Sequence, residues 1–185
     1  MTLSINEKKD AGEGIVVQQV SIASIEDISN STPPFLSMPC DLGVKMSLDI
    51  GRDFQPDFMI TGALKRDTEG IIIGWGGAFK IRDFFANLGI SGDLVPDDIE
   101  RPTTYSIPQA LMDAAKGQQF LRLSYVCGKK PNGKTRWADW TDIGSIAEGE
   151  TVLIQRFKKS VAKGYPSNFK PESEPINETG PESPF

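Results

Sequence analysis

The hydrophobic period of this chain changes twice, and no other feature limits its fold as much. In LGVKMSLDI (Leu42–Ile50), Val44, Met46, Leu48 and Ile50 share one face. In Phe58–Lys65, Phe58, Ile60 and Leu64 share one face, with Gly62 between them. Alternation with period two marks a half-buried strand. After the turn RDTEG, Ile71–Trp75 is a third strand, short and very apolar. The three read as an antiparallel meander. The period then becomes helical: Phe79, Ile81, Phe84, Phe85 and Leu88 line one face, and Gly89 is the expected C-terminal stop. Ile107–Lys116 predicts a second helix, with Pro108 in its first turn and Gly117 at its end. The linker between the helices is rich in Asp and Pro. Period two returns in Gln119–Cys127 and Thr135–Ile143, joined by KKPNGK, whose Asn-Gly pair favours a hairpin turn.

Two further segments flank this pattern. Ile15–Ser24 is β-branched and predicts a strand, followed by a loop broken by Pro33, Pro34 and Pro39. Near the other end, Val152, Leu153, Arg156, Phe157, Ser160 and Val161 have helical spacing, and Lys158, Lys159, Lys163 and Gly164 suit a helix end. The β-branched start of that segment leaves a strand open; the helix is preferred. At 185 residues the chain fits one core plus tails. Residues 1–14 read as a flexible N-terminus, 15–166 as the folded domain, and 167–185 as a disordered acidic tail. Three strands, helices, then two strands is the order of an OB-fold. The expected class is therefore mainly β, α+β: an OB-like five-stranded barrel with inserted helices.

Composition narrows the chemistry. The chain has no histidine, which excludes Ser-His-Asp and Cys-His catalysis, His-ligated zinc and HExxH proteases. Cys40 and Cys127 lie far apart and form no CxxC, so neither a structural zinc site nor a disulfide framework is expected. The polar Met1–Gly14 does not read as a signal peptide, and no apolar run approaches the roughly 20 residues that span a bilayer. A cytoplasmic protein without membrane partner, cofactor or enzyme activity is the expectation.

Charge is distributed in blocks. Residues 1–118 carry 10 Lys and Arg against 17 Asp and Glu, a net of −7; residues 119–170 are net +6, and the last fifteen residues net −4. A basic block between acidic ones suggests a surface that meets a polyanion. Its densest part is Lys129, Lys130, Lys134 and Arg136, followed at once by Trp137 and Trp140. Single-strand nucleic-acid binders combine cations for phosphates with aromatic faces for bases. The competing reading is a solvated basic turn with both tryptophans in the core. Trp137 and Trp140 are three apart, so in a strand they face opposite sides, and one is left partly exposed. Tyr125, in the preceding strand, is a further stacking candidate.

Two other segments invite chemistry. In DIGRDFQPDF, read as the loop between the first two barrel strands, Arg52 and Phe54 form a second cation–aromatic pair. Asp49, Asp53 and Asp57 in the same stretch admit a divalent cation, but without EF-hand spacing, so a solvated turn has the larger share. GIIIGWGGAFKIR holds glycines around Trp75 without matching a phosphate-binding motif, and a glycine-kinked strand explains it better. Trp75 and the following Lys80 are the weaker candidates for base and phosphate contact.

The tail completes the pattern. Glu172, Glu174, Glu178, Glu182, Pro184 and Phe185 resemble the acidic C-terminus of bacterial and phage single-stranded DNA-binding proteins, many of which end in Pro-Phe. The spaced glutamates and Ser183 before Pro184 make a phage-type member the better fit. The resemblance implies single-stranded DNA as ligand and recruitment of replication, recombination and repair enzymes through Glu182, Pro184 and Phe185. Such proteins often self-associate, which leaves a homo-oligomer open. Two rival readings remain: a phage-encoded interaction or inhibitor protein, and a metal-dependent nuclease using Asp49, Asp53 and Asp57.

Overall fold

In chain order the elements are β1 (Lys9–Gly12), β2 (Ile15–Asp27), β3 (Leu42–Asp49), β4 (Asp57–Gly62), β5 (Lys65–Arg66), β6 (Ile72–Gly74), α1 (Phe79–Asn87), α2 (Gln109–Ala115), β7 (Gln119–Lys129), β8 (Thr135–Asp139) and α3 (Glu150–Ala162). They come from a computed structural model that describes residues 9–12, 14–94 and 105–171. Five strands form a curled antiparallel half-barrel in the order β4-β3-β2-β7-β8. β2 organises it, because its thirteen residues serve both β3 and β7. Ile15–Ser21 pairs with β7, and Ser21–Asp27 pairs with β3. A register shift between Ile22 and Ser24 lies where the strand passes between the two; such irregularities bend a strand and increase its twist.

Both faces of this strand are covered where it meets β7. On the concave side Val20, Ile22, Met46, Leu48, Phe58, Ile60 and Phe120 fill the half-barrel, with Ile81, Phe84 and Phe85 of α1 and Leu111, Met112 and Ala115 of α2 packed in the same cluster. Phe84 meets Phe120 edge-on, with ring centroids 6.2 Å apart. On the convex side Ile15, Val17, Leu121, Leu123 and Tyr125 pack under Leu153 and Phe157 of α3. This explains why IVV at the start of β2 is apolar without alternation: all three residues are buried. A strand covered on both faces loses the period-two signal.

The helices stop where the glycines predict. At the end of α1, Gly89 adopts φ +72°, its N–H donates to Ala86 O, and the Ile90 N–H donates to Phe85 O. The end of α3 repeats this, with Gly164 at φ +87° and the Tyr165 N–H donating to Ser160 O. Both are Schellman motifs, which need a left-handed residue after the cap.

Four expectations are corrected. The segment Ile71–Trp75 is not the third strand of the main sheet; its Ile72–Gly74 pairs with Lys65–Arg66 in a separate two-stranded ribbon. The cause lies at Gly62, where a Cβ would come within 2.5 Å of the Ala78 backbone. The short 3-10 turn at Gly76–Ala78 packs against β4 there and diverts the chain. The fifth strand of the half-barrel is β2 instead. The N-terminal segment is not wholly loose, because Lys9–Gly12 pairs with the start of β2. The domain also runs beyond residue 166: the Tyr125 hydroxyl donates to Asn168 Oδ1 at 3.1 Å, Phe169 packs on Phe157, and the Lys170 N–H donates to Val126 O. The expected tail from Glu172 to Phe185, with Glu182 and Pro184, lies outside the described residues, as does most of the linker before α2. Among the described residues no helix is long and apolar enough to cross a membrane.

Candidate functional site

The apolar filling does not reach the whole concave face. Alternation puts Val16 and Gln18 of β2, Arg122 and Ser124 of β7, and Trp137 and Asp139 of β8 on that face. The register sets Val16 opposite Ser124, Gln18 opposite Arg122, and Ser124 opposite Asp139. The loop between β3 and β4 stands against this floor. Ile50, Arg52, Phe54 and Pro56 from the loop, with the six floor residues, enclose a cleft of about 320 Å³.

The loop is shaped locally. Asp49 Oδ1 accepts the Gly51 N–H at 2.8 Å, and Gly51 sits at φ +71°, which turns the chain outward. The Leu48 N–H donates to Pro56 O and closes the loop. Phe54 is left 70 % exposed and Arg52 is exposed beside it. On the floor, Arg122 donates to Asp139 through Nε at 2.9 Å and Nη2 at 2.8 Å. Ser124 Oγ donates to the same carboxylate at 3.0 Å. A forked pair of this kind ties β7 to β8 and fixes both side chains. Gln18 is only 9 % exposed and lies in the cleft floor beside Arg122.

The remaining candidates fall in several places. Lys129, Lys130 and Lys134 crown the β7–β8 hairpin, whose turn is closed by the Gly133 N–H on Lys130 O and the Lys130 N–H on Lys134 O. Gly133 at φ +78° makes this a three-residue loop rather than the two-residue Asn-Gly turn. Arg136 shares its side of β8 with Ala138, which packs in the α3 layer, so it lies opposite Trp137. The two tryptophans do face opposite sides: Trp137 lines the cleft, whereas Trp140 meets Phe157 edge-on at 5.2 Å under α3. Tyr125 lies in that same layer at 6 % exposure, 5.4 Å from Phe157, and burial raises its phenol pKa. Tyr125 and Trp140 thus both pack under α3, Tyr125 buried and Trp140 partly so. Trp75 sits before the 3-10 turn with the Arg82 guanidinium 5.5 Å from its ring centre. Lys80 lines a separate cavity of about 370 Å³ with Asp83, Asp142 and Arg156. Neither Trp75 nor Lys80 lines the cleft.

The carboxylates of the loop do not converge. Asp49 holds Gly51, while Asp57 accepts from Ser47 Oγ and pairs with Lys45 at 3.3 Å. Among the described residues no group of three or more acidic or cysteine side chains is placed to hold a metal ion. Sequence reasoning missed Gln18, Arg122, Ser124 and Asp139. Their signal was present in the alternation with Val20 and Phe120, but polar residues in a strand read as solvent-facing by default. What the cleft offers is two aromatic rings, a cation at the rim, and polar groups on the floor.

No protein-family model matches the chain, and no curated protein matches it. Its functional reading therefore rests on the cleft and on the charge pattern.

Proposed function

We propose that this protein binds single-stranded DNA without sequence preference through the concave cleft. It serves replication and recombination by recruiting partner enzymes through its acidic tail. The observation that carries the reading is the meeting of Phe54 and Trp137, from distant parts of the chain, in one cleft with Arg52 at the rim. Every base has a π-face, so two rings of this kind hold a strand whatever its sequence, at about 1–3 kcal/mol per stacked base. Arg52 and the hairpin lysines supply the phosphate contacts.

The topology supports the same reading. With β2 taken as the first strand, the order is third-second-first-fourth-fifth, and α1 and α2 stand between the third and fourth strands. That is the order of an OB-fold, which binds oligonucleotides on the face of its second and third strands and with the fourth-to-fifth loop. The β7–β8 hairpin is that loop. DIGRDFQPDF becomes the second-to-third loop rather than the first-to-second, and the cleft it borders has its floor on the first, fourth and fifth strands, β2, β7 and β8, beside the strand pair an OB-fold ordinarily uses. The tail reading has a physical basis too: the ring of Phe185 suits a small apolar pocket, and the carboxylate of Glu182 a partner's cation.

The test is a titration with oligo-dT at low and rising salt, followed by tryptophan fluorescence. Quenching that weakens several-fold as salt rises is expected. No binding and no quench at low salt ends the reading.

A further inference from the structure

We infer that a bound strand does not stop at the cleft but continues past the β7–β8 hairpin onto the C-terminal end of α3, where Lys159, Lys163 and Lys170 contact its phosphates. This rests on the proposed binding of single-stranded DNA.

Helix α3 runs in the same direction as β7. Near its start, Leu153 and Leu121 both crowd Gly144, within 3.3 Å of where a Cβ would stand. A turn further on, Phe157 stacks on Tyr125. The helix therefore ends beside the end of β7, where the hairpin leaves the sheet. The chain then returns across that end, and the Lys170 N–H donates to Val126 O at 2.9 Å. Lys170 thus stands two residues short of Gly128, at the root of the hairpin. Leu153 and Phe157 face the sheet, while Lys159 and Lys163, one turn apart, are exposed. Tyr165, 71 % exposed, follows directly and offers a further ring for stacking.

The acidic residues of the same basic block are held away from this end. Asp139 is bound to Arg122 in the cleft. Asp142 lines the separate cavity with Arg156, Glu148 lies 3.8 Å from Arg156, and Glu150 occupies the first turn of α3. Lysines near a helix C-terminus also complement its dipole. That bland role accounts for Lys159 and Lys163. It does not account for Lys170, nor for the convergence of a hairpin and a helix end carrying lysines at one pole of the domain.

The experiment compares a short oligo-dT of about 5 nucleotides, near the lower end of the ~4–16 that one OB-type domain covers, with a long one of about 30, well beyond its upper end. Each is titrated against the full chain and against a Lys159→Glu, Lys163→Glu, Lys170→Glu triple variant, with a triple Gln variant as a milder second version. For the short oligomer, affinity and fluorescence quench should stay within about twofold in all three proteins. For the long one, the Glu variant should bind at least tenfold more weakly. The slope of its salt dependence should fall by about 2, at ~0.7 for each phosphate no longer neutralised. The Gln variant should fall between. Equal slopes and affinities for the long oligomer would overturn the inference and leave the cleft reading standing. So would an equal loss for both lengths in the Gln variant. If the unaltered chain binds neither oligomer, both proposals fall together.

Discussion

Phe54 and Trp137 line one cleft from two different parts of the fold, Phe54 on the loop after β3 and Trp137 on β8. Trp140, three residues on, points to the other side of the sheet and packs on Phe157. This separation yields a clear test. Phe54→Ala and Trp137→Ala should each weaken oligo-dT binding by about 5- to 150-fold, the equivalent of ~1–3 kcal/mol per stacked base, with little change in the urea midpoint. Trp140→Ala should do the reverse, costing about 3–5 kcal/mol of stability because it empties a packed site. Equal loss of binding from all three substitutions would remove the distinction.

The alternation that separates the two tryptophans was visible in the sequence, and so were the helix stops at Gly89 and Gly164. What the sequence concealed were partners. IIIGW is apolar enough to be a strand in any sheet, and nothing in it says that Gly62 brings the backbone of Ala78 too close for the chain to join the main one. Tyr125 reads as a stacking residue beside the basic hairpin, although its period-two neighbours, Leu121 and Leu123, are apolar. Asn168, Phe169 and Lys170 sit in a polar, Pro-flanked stretch that reads as tail until Tyr125 and Val126 are seen to hold it. Arg122 and Asp139 are lone charges in sequence and become a pair only when β7 and β8 are set in register.

Asp142 carries a pH signature. Burial raises its carboxyl above the ordinary 3.8, against the opposing pull of Lys80 and Arg156. The folded state thus holds the proton more tightly than the unfolded chain, and stability falls as pH rises through this group's range. Asp142→Asn should raise the melting temperature at pH 7, and the gain should vanish below about pH 3.8, where the carboxyl is neutral in both states. Thermal melts of the two proteins between pH 3 and pH 8 measure this directly. A gain independent of pH would place its cause elsewhere.

The Arg122–Asp139 pair gives the opposite kind of outcome. Asp139→Ala removes the acceptor from a guanidinium that is mostly buried, and strips Ser124 of its partner as well. A loss of about 1–3 kcal/mol in urea unfolding is expected from the stranded donors. Affinity for oligo-dT should hold or rise, because a cation on the cleft floor is released to meet phosphate.

Gly62 has no room for a side chain. A Cβ would lie 2.5 Å from both the Cα and N of Ala78, and backbone cannot step aside as a flexible side chain does. Gly62→Ala should cost at least about 3 kcal/mol, the upper end of ordinary overpacking. Chemical denaturation would register it as a drop in midpoint, whereas Ala at an open exposed position such as Gln155 should leave the midpoint unmoved.

Removal of Pro181–Phe185 should leave oligo-dT affinity equal or tighter, since the deleted residues include the acidic side chain of Glu182. Weaker binding after this truncation would contradict the recruiting role of the tail.

The double service of β2 sets a timetable for synthesis. Its first half leaves the ribosome early, yet the strand it must pair with, β7, begins only at Gln119. At about 5–20 residues per second, Ile15–Ser21 waits on the order of ten seconds with an apolar, unpaired edge. In that interval the nascent chain is a natural client for a chaperone. Slower translation ahead of Gln119 would lengthen its exposure to aggregation.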